Sequence, residues 1–152
     1  MDADCLIKLT KAGVKDLVGK KCIVFIPDMV KKEVVDTGKM KGCPDALMVE
    51  KNIEAHMITT VDVPSNYKKG DQALIALFRN EDYDAIATDD VKLTHQLRIY
   101  GIPFIVPGLI IYQLLKDGMI EKKTALWALK QLSEFISEDE FSAVRLLMEK
   151  IK

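Results

Sequence analysis

Short runs of β-branched and aromatic residues alternate along this chain with amphipathic helical stretches. Cys22-Ile23-Val24-Phe25-Ile26, ended by Pro27, is apolar throughout and reads as a buried strand. Met57 to Val63, Asp84 to Thr88 and Ile102 to Val106 read the same way. Between them, Asp28 to about Asp36, Pro44 to about His56, Asp71 to Asn80 and Val91 to Tyr100 read as helices. Asp28 is expected to cap the first of these. Pro44 suits a first helical turn, and Gly101 is placed to end the last in the left-handed conformation. Lys39 to Cys43 and Pro64 to Gly70 read as loops. Strands separated by helices return parallel, and apolar strands need cover on both faces. The expected fold class is therefore α/β, with a mainly parallel sheet between helical layers.

The last third of the chain is helical. Leu109 to Lys116 is an apolar helix closed by Gly118, and Glu121 to Ile136 carries Ala125, Leu126, Leu129 and Leu132. Ser137 with Glu140 has the spacing of a capping box for a final helix bearing Phe141, Val144, Met148 and Ile151. No Gly-, Ser- or Pro-rich linker separates this part from the rest. Residues 1–106 are thus expected to form one α/β domain, with the helices of residues 107–152 packed on it. Trp127 and Met148 read as core or dimer contact. The apolar segment Leu109 to Leu115 is either a homodimer surface or buried within the monomer.

Composition removes several function classes. A chain of 152 residues with 49% apolar and 30% charged residues has the balance of one folded domain, not of a disordered segment. No apolar stretch approaches the ~18–20 residues of a membrane span, and no secretory leader is visible. Lys+Arg is 22 and Asp+Glu is 23, a net charge of −1, which excludes a broadly basic nucleic-acid binder but permits a local basic face. Cys5, Cys22 and Cys43 are scattered and odd in number, without CxxC, and read as reduced thiols of a cytoplasmic protein. His56 and His95 have no partner at metal-ligand spacing. Carboxylates are left as the tools for any chemistry.

The acids fall at suggestive places. Asp2 and Asp4 precede the apolar Leu6-Ile7. Glu33 shares a helix face with Met29, Val30 and Val34, by the rule that residues three and four apart are neighbours, unless a shifted helix boundary turns it sideways into solvent. Asp71 lies three, four and seven residues before Leu74, Ile75 and Phe78. Asp89 and Asp90 stand where a strand ends and a helix begins, the side on which parallel α/β sheets bind ligands. Asp28, Asp71, Asp89 and Asp90 can each equally be plain helix caps. Carboxylates drawn together repel unless one is protonated or a cation sits among them, and oxygen-only ligands favour Mg²⁺ or Mn²⁺. A cation so held activates water and offsets charge on a phosphodiester. Lys31, Lys32, Lys68, Lys69, Lys92 and Arg98 are candidates to hold a nucleic-acid backbone; taken singly, each also reads as a solvated surface charge.

These segments resemble the PIN-domain nucleases. Asp2-Ala3-Asp4-Cys5-Leu6-Ile7-Lys8-Leu9 resembles the family's opening motif, with Asp2 as its acid and Asp4 where Asn, Ser or Thr is usual. Ile26 to Val34 resembles the second motif, with Glu33 as its acid, and Gly70 to Leu77 the third, with Asp71. Ala87-Thr88-Asp89-Asp90-Val91-Lys92-Leu93 resembles the fourth; either Asp89 or Asp90 is the ligand, accompanied by Thr88. The match covers roughly Asp2 to Val106, and its specificity lies in the order and spacing of four motifs. The resemblance implies a three-layer α/β/α sandwich and Mg²⁺- or Mn²⁺-dependent endoribonuclease activity. It further implies frequent homodimerisation and, for many members, the role of a VapC-like toxin paired with an antitoxin. The C-terminal helices look like an extension seen in some members. One departure stands out: the family's central first strand lies just before its first Asp, and here only Met1 precedes Asp2. Either Met1 to Leu6 supplies that strand in shifted form or the start is clipped relative to relatives. Two other classes compete with the ribonuclease: a non-catalytic module that binds RNA or protein, and a phosphatase of the haloacid-dehalogenase type, which the Asp2/Asp4 pair and Asp89-Asp90 would serve.

Overall fold

The structure, a computed structural model, describes residues 1–63, 67 and 70–151. It opens on a helix where the sequence reads as strand-like. Asp2 Oδ1 accepts a hydrogen bond from Cys5 N at 2.8 Å and caps α1 (Ala3–Lys11). Cys5, Leu6, Leu9 and Thr10 are its buried face, the spacing of a helix. After α2 (Lys15–Lys21), strand β1 (Val24–Pro27) begins two residues later than expected and includes Pro27.

The next helix differs from expectation in three ways. It runs through α3 (Asp28–Lys31), a π-helical turn (Lys32–Asp36) and α4 (Thr37–Met40), and so takes in part of the expected loop. Its N-cap is Pro27, so Asp28 is its first residue and makes no capping bond. The π turn also changes the face: Val30, Val34 and Val35 are buried while Glu33 is exposed. A wider turn rotates later residues relative to a 3.6-residue period, yet Glu33 stays on the Val30 side: both side chains stand 3.8 Å from a Cβ built on Gly70.

The remaining elements are α5 (Pro44–Glu54), β2 (Ile58–Val61), α6 (Gly70–Asn80), β3 (Ile86–Ala87), α7 (Val91–Ile99), β4 (Phe104–Ile105), α8 (Pro107–Lys116), α9 (Lys122–Leu132) and α10 (Glu138–Glu149). Gly101 and Gly118 take positive φ of 65° and 69° after α7 and α8, as their places predict. The loop expected over Pro64 to Gly70 falls mostly outside the described residues. Ser137 Oγ caps α10 by accepting from Glu140 N, but the Glu140 carboxylate turns elsewhere, so only half of the capping box forms.

The strands pair in parallel, β1 with β2 and β3 with β4. Val24 to Pro27 face Ile58 to Val61, and Ile86 and Ala87 face Phe104 and Ile105. Met1 and Asp2 lie between the two pairs. The Met1 amine donates to Phe25 O at 2.9 Å, and Asp2 N donates to Ala87 O at 3.0 Å. A central strand built from Met1 to Leu6 is therefore not what forms. Two residues make the link, and the chain is helical from Ala3.

Helical layers flank the strands. A large cluster joins α1, α2 and β1 to α8, α9 and α10 through Leu6, Val18, Ile26, Ile111, Leu129 and Met148. A small one joins α6 and α7 to β3 through Leu74, Ile86, Leu93 and Leu97. The helices after residue 106 thus share the main core. Ile110, Ile111, Leu114 and Leu115 of α8 are buried within the monomer, which answers the question the sequence left open for Leu109 to Leu115. Met148 is core, whereas Trp127 is 49% exposed.

Gly38 shows how closely α4 and α5 approach. A Cβ added there would lie 2.9 Å from Ala46 Cβ, an atom fixed by its own backbone. Helix propensity alone favours alanine over glycine by about 1 kcal/mol. Crowding outweighs that gain here, so Gly38→Ala is expected to lower unfolding stability by about 1–3 kcal/mol in urea denaturation; a stabilised variant would refute the close contact.

Candidate functional site

The carboxyl end of β3 carries a cluster of buried and half-buried polar side chains. Thr88 is fully buried, and its hydroxyl donates to Asp2 Oδ2 while Thr88 Oγ1 accepts from Asp90 N at 3.1 Å. Both oxygens of Asp2 are thereby bonded, one to the helix it caps and one across the sheet. Burial pushes the Asp2 carboxyl up to about 6, against the opposing pull of its bonds to Thr88 and Cys5 N; the negative charge of Asp89 adds to the rise.

Asp89 and Asp90 have different surroundings. Asp90 Oδ1 accepts from Leu93 N at 2.7 Å and caps α7, the plain structural role. Asp89 turns inward: its Oδ2 meets Lys8 Nζ at 2.5 Å, and its Oδ1 is buried with no partner among the described residues. Lys8 also reaches Asp4 Oδ2 at 2.9 Å, one helical turn back on α1. Burial alone would lower the Lys8 ammonium, but the bonds to Asp89 and Asp4 outweigh it and raise its pKa. Glu140 approaches from α10. Its Oε1 accepts from Gly108 N at 2.7 Å, and burial raises its carboxyl, with the charge of Asp89 adding to that rise and the charge of Lys8 opposing it.

Glu33 and the start of α6 form a second group. A Cβ on Gly70 would stand 3.8 Å from Glu33 Oε2, so the exposed Glu33 faces the first turn of the helix in which Asp71 follows Gly70. Asp71 is exposed at that turn. Asp28, after β1, has a buried Oδ1 without a partner among the described residues, while its Oδ2 is 3.6 Å from Lys32 Nζ.

The structure thus joins Asp2 to Thr88 directly, brings Asp89 near enough for its charge to act on Asp2, and ties Asp4 to Asp89 through Lys8. It places Glu33 beside the start of α6. Among the described residues, no three His, Cys, Asp or Glu side chains stand close enough to share one ion. The donors nevertheless suit Mg²⁺ or Mn²⁺ in kind: they are oxygens, and Asp89 Oδ1 is buried without a hydrogen-bond donor. Of the basic candidates, Lys31 is half-buried, Lys32 is exposed beside Asp28, and Lys92 is exposed in the first turn of α7. The Arg98 guanidinium lies over the Phe104 ring at 5.4 Å, eight residues and about 12 Å along the helix from Asp90. Lys68 and Lys69 lie outside the described residues.

Sequence reasoning missed Lys8 and Glu140 as neighbours of these acids. Lys8 had a legible signal, its four-residue spacing from Asp4. Glu140 had none, because the packing of α10 on α8 brings it there.

A family model described as PIN domain, DUF3368, matches residues 1–150, and the chain belongs to that family. The three-layer α/β/α architecture expected from the resemblance holds, and the match takes in the C-terminal helices too. No curated protein and no solved structure gives a match. No helix among the described residues is long and apolar enough to cross a membrane.

Asp2 makes a pH prediction. An acid held near 6 in the fold and near 4 when unfolded contributes its stability fully below about pH 4, and that contribution is lost as pH rises through 6. In chelated protein, stability should fall by about 3 kcal/mol across this window on account of Asp2. Urea denaturation at stepped pH should show a flatter profile for Asp2→Asn. Parallel profiles for the two proteins would contradict the burial argument.

Proposed function

We propose that this PIN-domain protein is a Mg²⁺- or Mn²⁺-dependent endoribonuclease that hydrolyses RNA phosphodiester bonds. The observation that carries the reading is the meeting of Asp2, Thr88 and Asp89 at the carboxyl end of parallel strands, with a buried Asp89 oxygen left unbonded. A divalent ion bound there supplies an activated water and offsets charge gathering on phosphorus. Asp2 and Asp89 would hold it, with Glu33 and Asp71 as the further acids of the family pattern and Asp90 in support. Thr88 orients Asp2 by donating its hydroxyl proton, and through Asp90 N it fixes the turn into α7. Lys8 neutralises Asp89 and Asp4 in the present arrangement. It must release Asp89 before that carboxylate serves an ion, and it is then available to a phosphate oxygen. Lys31, Lys32 and Lys92 flank these elements and would steer the RNA backbone. A small antitoxin is the protein partner this reading calls for.

The Lys8–Asp89 pair also favours a second reading, a module that binds RNA without cutting it, because an ammonium already satisfies the acid. The phosphatase alternative needs an unencumbered aspartate nucleophile at a strand end; Asp2 instead caps a helix with both oxygens bonded.

Purified protein should cut single-stranded RNA in Mn²⁺ or Mg²⁺, and Asp89→Asn or Asp71→Asn should slow cutting by about 100-fold or more. Cleavage that persists in excess EDTA or survives Asp71→Asn would sink the nuclease reading. Mn²⁺ should also raise the melting temperature, and by more in Lys8→Met, where Asp89 is freed. RNA binding without cleavage and without any Mn²⁺ shift would establish the binding module instead.

A further inference from the structure

The chain has one tryptophan, and it stands on the outside of α9. Trp127 is 49% exposed, with Lys123 four residues before it and Lys130 three after it. That spacing sets all three on one stripe, about 10.5 Å long. Ala125, Ala128, Leu129 and Leu132 are the buried face of the helix, so the stripe points away from the core. Lys122 is turned aside, to the carbonyls of Glu149 and Ile151.

The stripe is continuous with the end of α1. A cavity of about 250 Å³ lies between them, lined by Lys130, Gln131 and Glu134 from one side and by Lys11 and Ala12 of the α1 end from the other. Lys11 is one turn beyond Lys8, about 4.5 Å along the helix, and Asp4, Lys8 and Lys11 share one stripe of α1. Lys8, Lys11, Lys130, Trp127 and Lys123 therefore make a basic path that starts at Asp89 and ends on α9. Lys11, Lys123 and Lys130 are exposed, and among the described residues they form no ion pair. Glu134 sets one negative charge against these three positive ones.

We propose that this path is a second RNA-holding surface, on which a base of single-stranded RNA stacks on Trp127 while Lys11, Lys123 and Lys130 hold neighbouring phosphates. It rests on the nuclease reading, because it takes up the strand that leaves the acids past Lys8. An exposed indole is a stacking platform for any base, and ammonium groups on either side of it track the backbone. A protein partner suits the stripe less well. Lysine is depleted at protein interfaces, and along the helix it is lysines that flank the ring.

The test is made in EDTA, where binding is read without cleavage. A single-stranded oligoadenylate of about 12 nucleotides should quench the emission of Trp127 saturably. Trp127→Ala should weaken binding of the labelled oligonucleotide about fivefold or more, and Trp127→Phe should restore most of the loss. Lys123→Gln and Lys130→Gln should each reduce the steepness of log affinity against log salt by about 0.7, and Glu134→Gln should tighten binding. RNA that binds with Trp127 emission unchanged would overturn this surface and leave the proposed cleavage standing. No RNA bound at low salt would overturn it too, and cutting in Mn²⁺ then judges the nuclease reading by itself. Quenching by polyglutamate but not by RNA would overturn it in favour of an acidic protein partner. A free dimer that Trp127→Ala dissociates would overturn it in favour of self-association.

Discussion

Everything in this protein hangs on how Asp2 is held. Its amide ties the chain start to β3, while the preceding amine ties it to β1. Its carboxylate begins α1 and takes the Thr88 hydroxyl from the next part of the fold. Met1 and Asp2 together therefore join the strand pairs, and Asp2 also starts the first helix and brings an acid to the carboxyl end of β3. The cost is visible in its raised carboxyl, since burial removes water that the bonds to Cys5 and Thr88 do not fully replace.

The net charge of −1 conceals a local balance around that residue. Asp4 and Asp89 are drawn to Lys8, and Glu140 comes near enough to sense both Asp89 and Lys8. A carboxylate buried this far needs a cation or a proton. Lys8 is the cation that the protein itself provides. On the proposed function, a divalent ion at these acids would have to compete with Lys8 for Asp89.

Much of the fold was legible because it rests on local periodicity and turn chemistry. The strand at Val24–Pro27, the helix opened by Pro44, the ends at Gly101 and Gly118 and the Ser137 cap all follow from residues within a few positions of one another. The misreadings have local physical causes too. The π turn at Lys32–Asp36 buries Val35 beside Val34 and leaves Glu33 exposed, though still on the Val30 side. The opening segment resembles a strand by motif, yet Asp2 with Asp4 in the first turn makes it a helix start. The assignment of Asp28 as a cap failed because Pro27 already holds that position. Pro103 carries no amide proton, yet its carbonyl still accepts from Ile86, so the last strand pairs only over Phe104–Ile105.

The sequence by itself determined the fold class, the family and the four acidic motifs in order, because hydrophobic period and motif spacing are properties of the chain alone. Only the tertiary structure decided which acid does what. Asp89 and Asp90 are adjacent and chemically identical, but α7 claims Asp90 as its cap while the packing of α1 on β3 sets Asp89 against Lys8. Glu140 joins them from 51 positions further along. Such roles depend on distances between segments remote in sequence, and those distances exist only once the core has closed.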